Sequence, residues 1–224
     1  MISIVIPCLN EAANIIPTLE ALQAMRSRGQ EIILVDGGST DQTTSLAQPL
    51  VDVILHTAAG RARQMNTGLA QARGDIVWFL HADTLAQPDM DCQIIECLED
   101  SNAQWGHWRV RLSGSQPSLR LVETLMNHRS CLTGIATGDQ GLFARTGVLR
   151  GLGGYPDIPL MEDVALSRRL KKFCGPLRCL SGPLITSSRR WESRGIWRTV
   201  LLMWRLRLAY ALGADPKKLA ALYR

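Results

Sequence analysis

The sequence lacks the short signatures that most often declare a chemistry. No GxGxxG follows a strand and no GxxxxGK[ST] is present, so neither the dinucleotide-binding turn nor the P-loop is encoded. The six cysteines (Cys8, Cys92, Cys97, Cys131, Cys174 and Cys179) contain no CxxC pair, and Cys92 and Cys97 have no His or Cys partners near them in sequence. That spacing argues against a metal finger and for reduced thiols. No apolar run approaches the ~20 residues that span a bilayer. The opening MISIVIPCLN has no basic stretch and no small-residue cleavage pattern, so the expected compartment is the cytoplasm. No nucleic-acid motif appears, and the aromatics are not interleaved with basic residues as a stacking platform, so no nucleic-acid partner is expected. Linkers, repeats and low-complexity segments are also missing, which leaves one domain over residues 1–224.

What is there is a globular composition, 46% hydrophobic and 20% charged over 224 residues, with enough chain for a sizeable core. The charge is divided unevenly. Residues 1–100 hold five Lys/Arg against thirteen Asp/Glu; residues 101–224 hold twenty against seven. A basic half beside an acidic one fits an anionic partner such as a phosphorylated substrate or an acidic membrane surface.

The first hundred residues alternate strand and helix patterns. SIVIP (3–7), EIILVDG (31–37), VDVILH (51–56) and DIVWFLHAD (75–83) read as strands. Between them lie helical segments at 11–25, with Asn10 as N-cap, after Ser39, where Ser39 and Gln42 have capping-box spacing, and at 60–74; a further helix is expected over 89–100. Nearly continuous apolar strands separated by single helices predict βαβ units and a mostly parallel sheet. In such sheets ligands bind beyond the carboxyl ends of the strands. Those ends carry Pro7 to Glu11, Asp36 to Asp41, His56 to Arg63 and His81 to Asp83. Beyond residue 100 the pattern changes. WGHWRVRL (105–112) alternates Trp108, Val110 and Leu112 against Arg109 and Arg111, as in an antiparallel or edge strand. A helix follows near 117–131, a strand at 138–145, and a helix from about Glu162.

Several polar residues at these ends are open to two readings. Asp36 either caps its turn or hydrogen-bonds a base N–H or ribose hydroxyl. Asp83 is a weak metal site alone, but a diphosphate supplies most of a divalent ion's oxygens, so one or two protein ligands suffice. With a strand running through residue 83, His81 shares its face and is either a second ligand or a hydrogen-bonding neighbour. Glu162 and Asp163 either complement a helix dipole or supply a general base.

Five segments in order, IVIPCLNEAANI, ILVDGGSTDQT, GRARQMNTG, FLHADT and EDVALSRRL, resemble the family-2 glycosyltransferases over about Ser3 to Lys172. GRARQMN, FLHADT, GDQGLFAR and the ending GADPKKLAALYR resemble a subgroup of short soluble members named for arsenosugar biosynthesis. The resemblance implies a GT-A fold: a Rossmann-like, mostly parallel sheet flanked by helices, with a smaller antiparallel acceptor-side portion. It implies a nucleotide-sugar half (about 1–104) and an acceptor and catalytic half (about 105–190). It further implies a UDP- or GDP-sugar donor and a divalent metal, Mn²⁺ or Mg²⁺. Pro7, Asn10 and Glu11 match the nucleoside-lining segment, Asp36 the base-contacting carboxylate, and Arg61, Arg63 and Asn66 polar groups near the nucleotide. Asp83 matches the last aspartate of the metal-binding DxD, and Asp163 the catalytic base, with Glu162 beside it. There are two departures: Gly37 stands where a second aspartate is usual, and His81 stands at the first position of the DxD.

The remainder, about 191–224, is basic. In GIWRTVLLMWRLRLAYALG, Trp197, Leu201, Trp204 and Leu208 form one stripe beside Arg194, Arg198 and Arg205. The stripe either docks on the core or lies on an anionic membrane at the inner surface. Two competing classes are a nucleotidyltransferase of related fold and a non-enzymatic basic module. The first is opposed by PCLNEAAN, an acidic, glycine-free loop after the first strand.

Overall fold

The computed structural model describes residues 1–100 and 103–223; Ser101, Asn102 and Arg224, the last residue of the C-terminal motif, lie outside the described residues. Its first strands follow from their apolar runs. The strands β1 (Ile2–Cys8), β2 (Glu31–Asp36) and β4 (Ile76–Phe79) are buried along almost their whole length, as strands covered on both faces must be. With β3 (Val53–His56) they pair in parallel in the order β3-β2-β1-β4. The two-residue period sends Ile4, Ile6, Ile32, Leu34 and Trp78 to one face, under α1 (Ile15–Ala21), α2 (Gln23–Ser27) and α5 (Met90–Asp100). It sends Val5, Ile33, Val35, Val77 and Phe79 to the other, under α4 (Arg61–Gln71), α7 (Thr146–Gly151) and α8 (Glu162–Cys174).

Beyond β4 the sheet turns mixed, in the order β7 (Phe143–Arg145), β6 (Trp105–Leu112), β8 (Arg178–Thr186), β5 (Thr84–Leu85). β7 is antiparallel to both β4 and β6, and β5 is antiparallel to β8. The expected mostly parallel sheet with an antiparallel portion is therefore present. Of the two readings of WGHWRVRL, the antiparallel one holds against β7 and the edge one does not: β6 is interior, antiparallel to β7 and parallel to β8. Arg109 and Arg111 do face solvent. A register shift between Trp108 and Val110 leaves the Val110 amide and carbonyl to the side chain of Asn127 on α6 (Pro117–Thr133), at 2.9 Å each.

Several local expectations are corrected. Asn10 is not an N-cap: it adopts a left-handed φ of 53°, and the helix starts at Ile15 and breaks at Leu22. Ser39 makes no capping box, since its hydroxyl and amide bond Asp36, and Asp41 instead accepts the amide of Thr43 at the head of α3 (Thr43–Ala47). The fourth strand stops at Phe79, so His81 to Asp83 is a turn, closed by Thr84 N–H to the His81 carbonyl, and the same-face argument does not apply. Residues 138–140 form a 3₁₀ turn ahead of β7. Cys131 and Cys179 are joined as a disulfide, which sequence separation 48 hid; α6 packing across β6 and β8 brings them together. Cys8, Cys92 and Cys174 are free thiols.

At the C-terminus, α9 (Arg189–Arg194), α10 (Ile196–Ala211) and α11 (Pro216–Tyr223) follow β8. α10 docks through Ile196, Thr199 and Leu206, and the Trp197/Leu201/Trp204/Leu208 stripe points outward, so of its two readings docking on the core does not hold. No helix among the described residues is long and apolar enough to cross a membrane.

Gly68 sets how closely α4 sits on the sheet. A Cβ there would lie 2.3 Å from Val5 Cγ1 and 3.2 Å from Val35 Cγ2, and both valines are locked in interior strands. Gly68→Ala is therefore expected to destabilise the fold by about 1–3 kcal/mol through overpacking, seen as a lower urea midpoint at unchanged m-value.

Candidate active site

The carboxyl ends of β1, β2 and β4 open on one edge, and the loops after them are tied to each other. Cys8 ends β1, and its carbonyl accepts the Gly37 amide and the Gln64 side chain (2.9 and 2.8 Å), which fastens α4 to the first two strand ends. Asn10 N–H donates to Ser39 Oγ, while Asn10 Oδ1 accepts the Thr40 amide, both at 2.9 Å. Thr18 of α1 donates to the Ala82 carbonyl at 2.9 Å, which holds the turn that carries Asp83. Thr84 and Leu85, directly after that turn, pair with Thr186 and Ile185. Asp83 and the arginines that follow β8 are thus set by one short ladder.

Arg61, at the head of α4, is the central cation. Its guanidinium is 3.9 Å from Glu162 and within electrostatic reach of Asp163, Asp83 and His81. Glu162 and Asp163 open α8 after Met161, whose left-handed φ of 69° is unusual for a side chain of that size. Glu162 is buried, and burial first, then the neighbouring Asp163, push its pKa to about 7 against the pull of Arg61. Asp163 accepts the amides of Gly138 (3.0 Å) and Val164 (2.7 Å); burial nevertheless raises its pKa. Arg129, from α6, has its pKa lowered by burial, against the opposing pull of Asp139 and Asp163.

Asp83 is half-buried; burial and then Glu11 raise its pKa, while Arg189 and Arg61 oppose them. Glu11 bonds Asn14 and lies 3.5 Å from Arg189. His81 is kept neutral, its pKa pushed well down by burial and then by Arg61 and Arg190. Its Nε2 is buried without a hydrogen-bond partner and lies against Gly138, where a Cβ would come within 2.8 Å. His81 thereby connects the Asp83 turn to the segment that holds Asp163.

The predicted residues do not all converge. Asp36 is buried, and its oxygens accept the amides of Gly38 and Ser39 and the Ser39 hydroxyl, with His56 Nδ1 3.5 Å away; burial opposes these bonds, yet its pKa is lowered. The capping reading of Asp36 is thus the one its contacts fit. Asn66 is held at both ends of its amide by the Tyr155 backbone (2.8 Å each), so it fixes a loop. Arg63 is half-exposed and 3.6 Å from Asp157. Pro7 sits within β1, paired with Val35. Sequence reasoning missed Arg189 and Arg190, and also Gly138 and Arg129. The pair SSRRW after the last strand was the available signal for the first two; the other two depend on packing between distant segments.

A half-buried carboxylate beside Glu11 is a donor suited to a divalent cation whose other oxygens come from phosphate and water. Arginines at 61, 189 and 190 suit phosphate oxygens. The buried acidic pair on α8 suits proton removal near neutral pH.

The chain matches the family model described as Glycosyl transferase family 2 over residues 3–151. It is 28% identical over 192 residues to an uncharacterised glycosyltransferase of Mycobacterium tuberculosis, covering 80% of this chain and 72% of that protein. Among solved structures, it is similar to a mannosyltransferase from Pyrobaculum calidifontis in complex with GDP-Man and Mn²⁺, with TM-score 0.66, 22% identity, and coverage of 93% of this chain and 60% of that one. It is also similar to glucosyl-3-phosphoglycerate synthase from Mycobacterium tuberculosis in complex with Mn²⁺, UDP and glucosyl-3-phosphoglycerate, with TM-score 0.63, 19% identity, and coverage of 90% and 77%. These likenesses establish the fold as GT-A.

A raised carboxylate pKa is a stability statement. Below the ordinary carboxylate range Glu162 is protonated folded and unfolded alike. As pH rises from there through about 7, the folded state keeps a proton that the unfolded state has released, so stability falls. Glu162→Gln is expected to melt on the order of 5 °C higher than wild type at pH 8 and to lose that advantage at about pH 4, read by calorimetry.

Proposed function

The chain belongs to glycosyltransferase family 2, and from that premise we propose that it moves a sugar from a nucleoside-diphosphate sugar to an acceptor hydroxyl with inversion at the anomeric carbon. The observation that carries the reading is the buried Glu162–Asp163 pair, held by the Gly138 amide and Arg61 on the same sheet edge as Asp83, Arg189 and Arg190.

Segments 7–11 and 36–41 border the side that takes the nucleoside. Arg61, Arg189 and Arg190 neutralise the diphosphate, whose charge grows as the sugar leaves. Asp83 would hold a divalent ion, with His81 as the second ligand; Mn²⁺ in the two similar structures supports the cofactor and leaves Mg²⁺ equally admissible. When bound, such an ion withdraws charge from the departing phosphate as a Lewis acid. Asp163 takes the proton of the acceptor hydroxyl. Glu162 shares that proton equilibrium, so the pair titrates as a unit. One base and in-line attack make a single displacement, and no covalent nucleophile is required. GDP-Man and UDP in the similar structures support either base for the donor.

The outer face of α10 supports a reading of where the acceptor is met. Trp197, Leu201, Trp204, Leu208 and Leu212 are 58–79% exposed in one stripe, Arg198 and Arg205 flank it, and residues 196–211 contain no carboxylate. Two tryptophans over a cationic flank fit the interface of an anionic bilayer, and favour an acceptor presented there.

Asp163→Asn should lower transfer by at least about 10³-fold with donor affinity within about twofold of wild type, whereas Asp83→Ala should lose the Mn²⁺-dependent part of donor binding in calorimetry. Comparable turnover in Asp163→Asn sinks the base assignment. For the membrane face, the full chain should co-sediment with anionic vesicles and not with zwitterionic ones, and Trp197→Ser with Trp204→Ser should abolish it. A vesicle-bound fraction of zero in wild type would favour instead a water-borne acceptor, as the likeness to the arsenosugar-associated subgroup does.

A further inference from the structure

Beside Arg129, whose other charged neighbours are Asp139 and Asp163, lies a second group of metal-ligating side chains with no place in the reaction above. His107 and Cys179 are register partners on the parallel strands β6 and β8, so their side chains leave the same face of the sheet. Cys131 reaches that face from the last turns of α6, its Cα 5.7 Å from that of Cys179. One nitrogen of His107 and the two sulfurs lie within 4.8 Å of one another. His107 is fully buried; its Nδ1 lies 2.7 Å from the Trp108 carbonyl, which can only accept, so Nδ1 carries the proton. Nε2 is then a lone-pair acceptor, buried and without a partner. A buried acceptor left unmatched is uncommon and costly, and an imidazole oriented through its Nδ1–H is the arrangement found in metal-bound histidines.

We propose that His107, Cys131 and Cys179 form a zinc site when the two cysteines are reduced, and that the disulfide is its metal-free, oxidised form. A dithiol reductant exchanges with Cys131–Cys179 to give two thiols and its own disulfide. Zn²⁺ then binds both sulfurs as thiolates with release of two protons, and takes Nε2 as the third ligand. Two thiolates and one divalent ion leave the pocket neutral. Arg129 and Arg109 act on His107 electrostatically, and cations beside the group favour thiolates. Both cysteines are half-exposed, so water completes a tetrahedral set. Sulfur and imidazole ligands separate this site by chemistry from the carboxylate corner at Asp83.

The test uses the full chain, reduced with a dithiol, stripped by a chelator and titrated with Co²⁺. A thiolate-to-cobalt charge-transfer band should saturate at about one ion per chain and be displaced by Zn²⁺. Oxygen ligands at Asp83 give no such band. Cys131→Ser and Cys179→Ser should remove it, His107→Gln should weaken binding at least about tenfold, and Cys92→Ser should change nothing. Should the cysteine variants fail to fold, Zn²⁺ should protect Cys131 and Cys179 of the reduced wild type from alkylation, read by peptide mass spectrometry. The absence of the band in reduced wild type, its survival in Cys131→Ser, an unchanged affinity in His107→Gln, or equal alkylation with and without Zn²⁺ would each overturn the proposal and leave a structural disulfide only.

Discussion

Two adjacent carboxylates buried at the head of one helix are the constraint around which this molecule is arranged. Glu162 and Asp163 repel one another and lose solvation together. They persist because three separate segments converge on them: the head of α4 supplies Arg61, the 3₁₀ turn before β7 supplies the Gly138 amide, and α8 supplies the Val164 amide. Any drift between the parallel half of the sheet and its mixed half would strand an acidic group in a poorly hydrated site. The left-handed backbone at Met161 belongs to the same arrangement, since it turns the chain so that both acids enter the cluster.

The parallel half was legible in the sequence because continuous apolar strands and single crossover helices leave few alternatives. The position of Asp83, Glu162 and Asp163 was legible for a related reason: each stands just beyond an apolar strand or at the head of an apolar-striped helix, where a polar group serves a cap or a ligand. What stayed hidden depends on contacts between distant segments. Nothing local distinguishes Asn66, which clamps Tyr155, from a ligand-binding amide. The turn at His81 to Asp83 reads as strand because its apolar run continues through Leu80. The Cys131–Cys179 pairing needs the packing of α6 on β8 before it can be seen.

The amphipathic period of α10 was readable, but not which face it presents. A stripe of Trp and Leu ordinarily goes inward. Here the inward side is taken by Ile196, Thr199 and Leu206, because α10 packs chiefly on α6, α9 and α11. Periodicity specifies a helix and its two sides; the number of neighbouring elements decides which side is covered.

The two-residue strand β5 joins Asp83 to the arginines after β8 through a single rung of ladder, Thr84 to Thr186 and Leu85 to Ile185. That rung acts as a fixed gauge. The spacing between the acidic corner and the basic pair is written in backbone hydrogen bonds, so exchanging side chains at either end alters charge or reach while leaving the gauge unchanged. Changes of charge and reach can therefore accumulate at residues 81–83 and 189–190 independently, without the sheet having to be rebuilt each time.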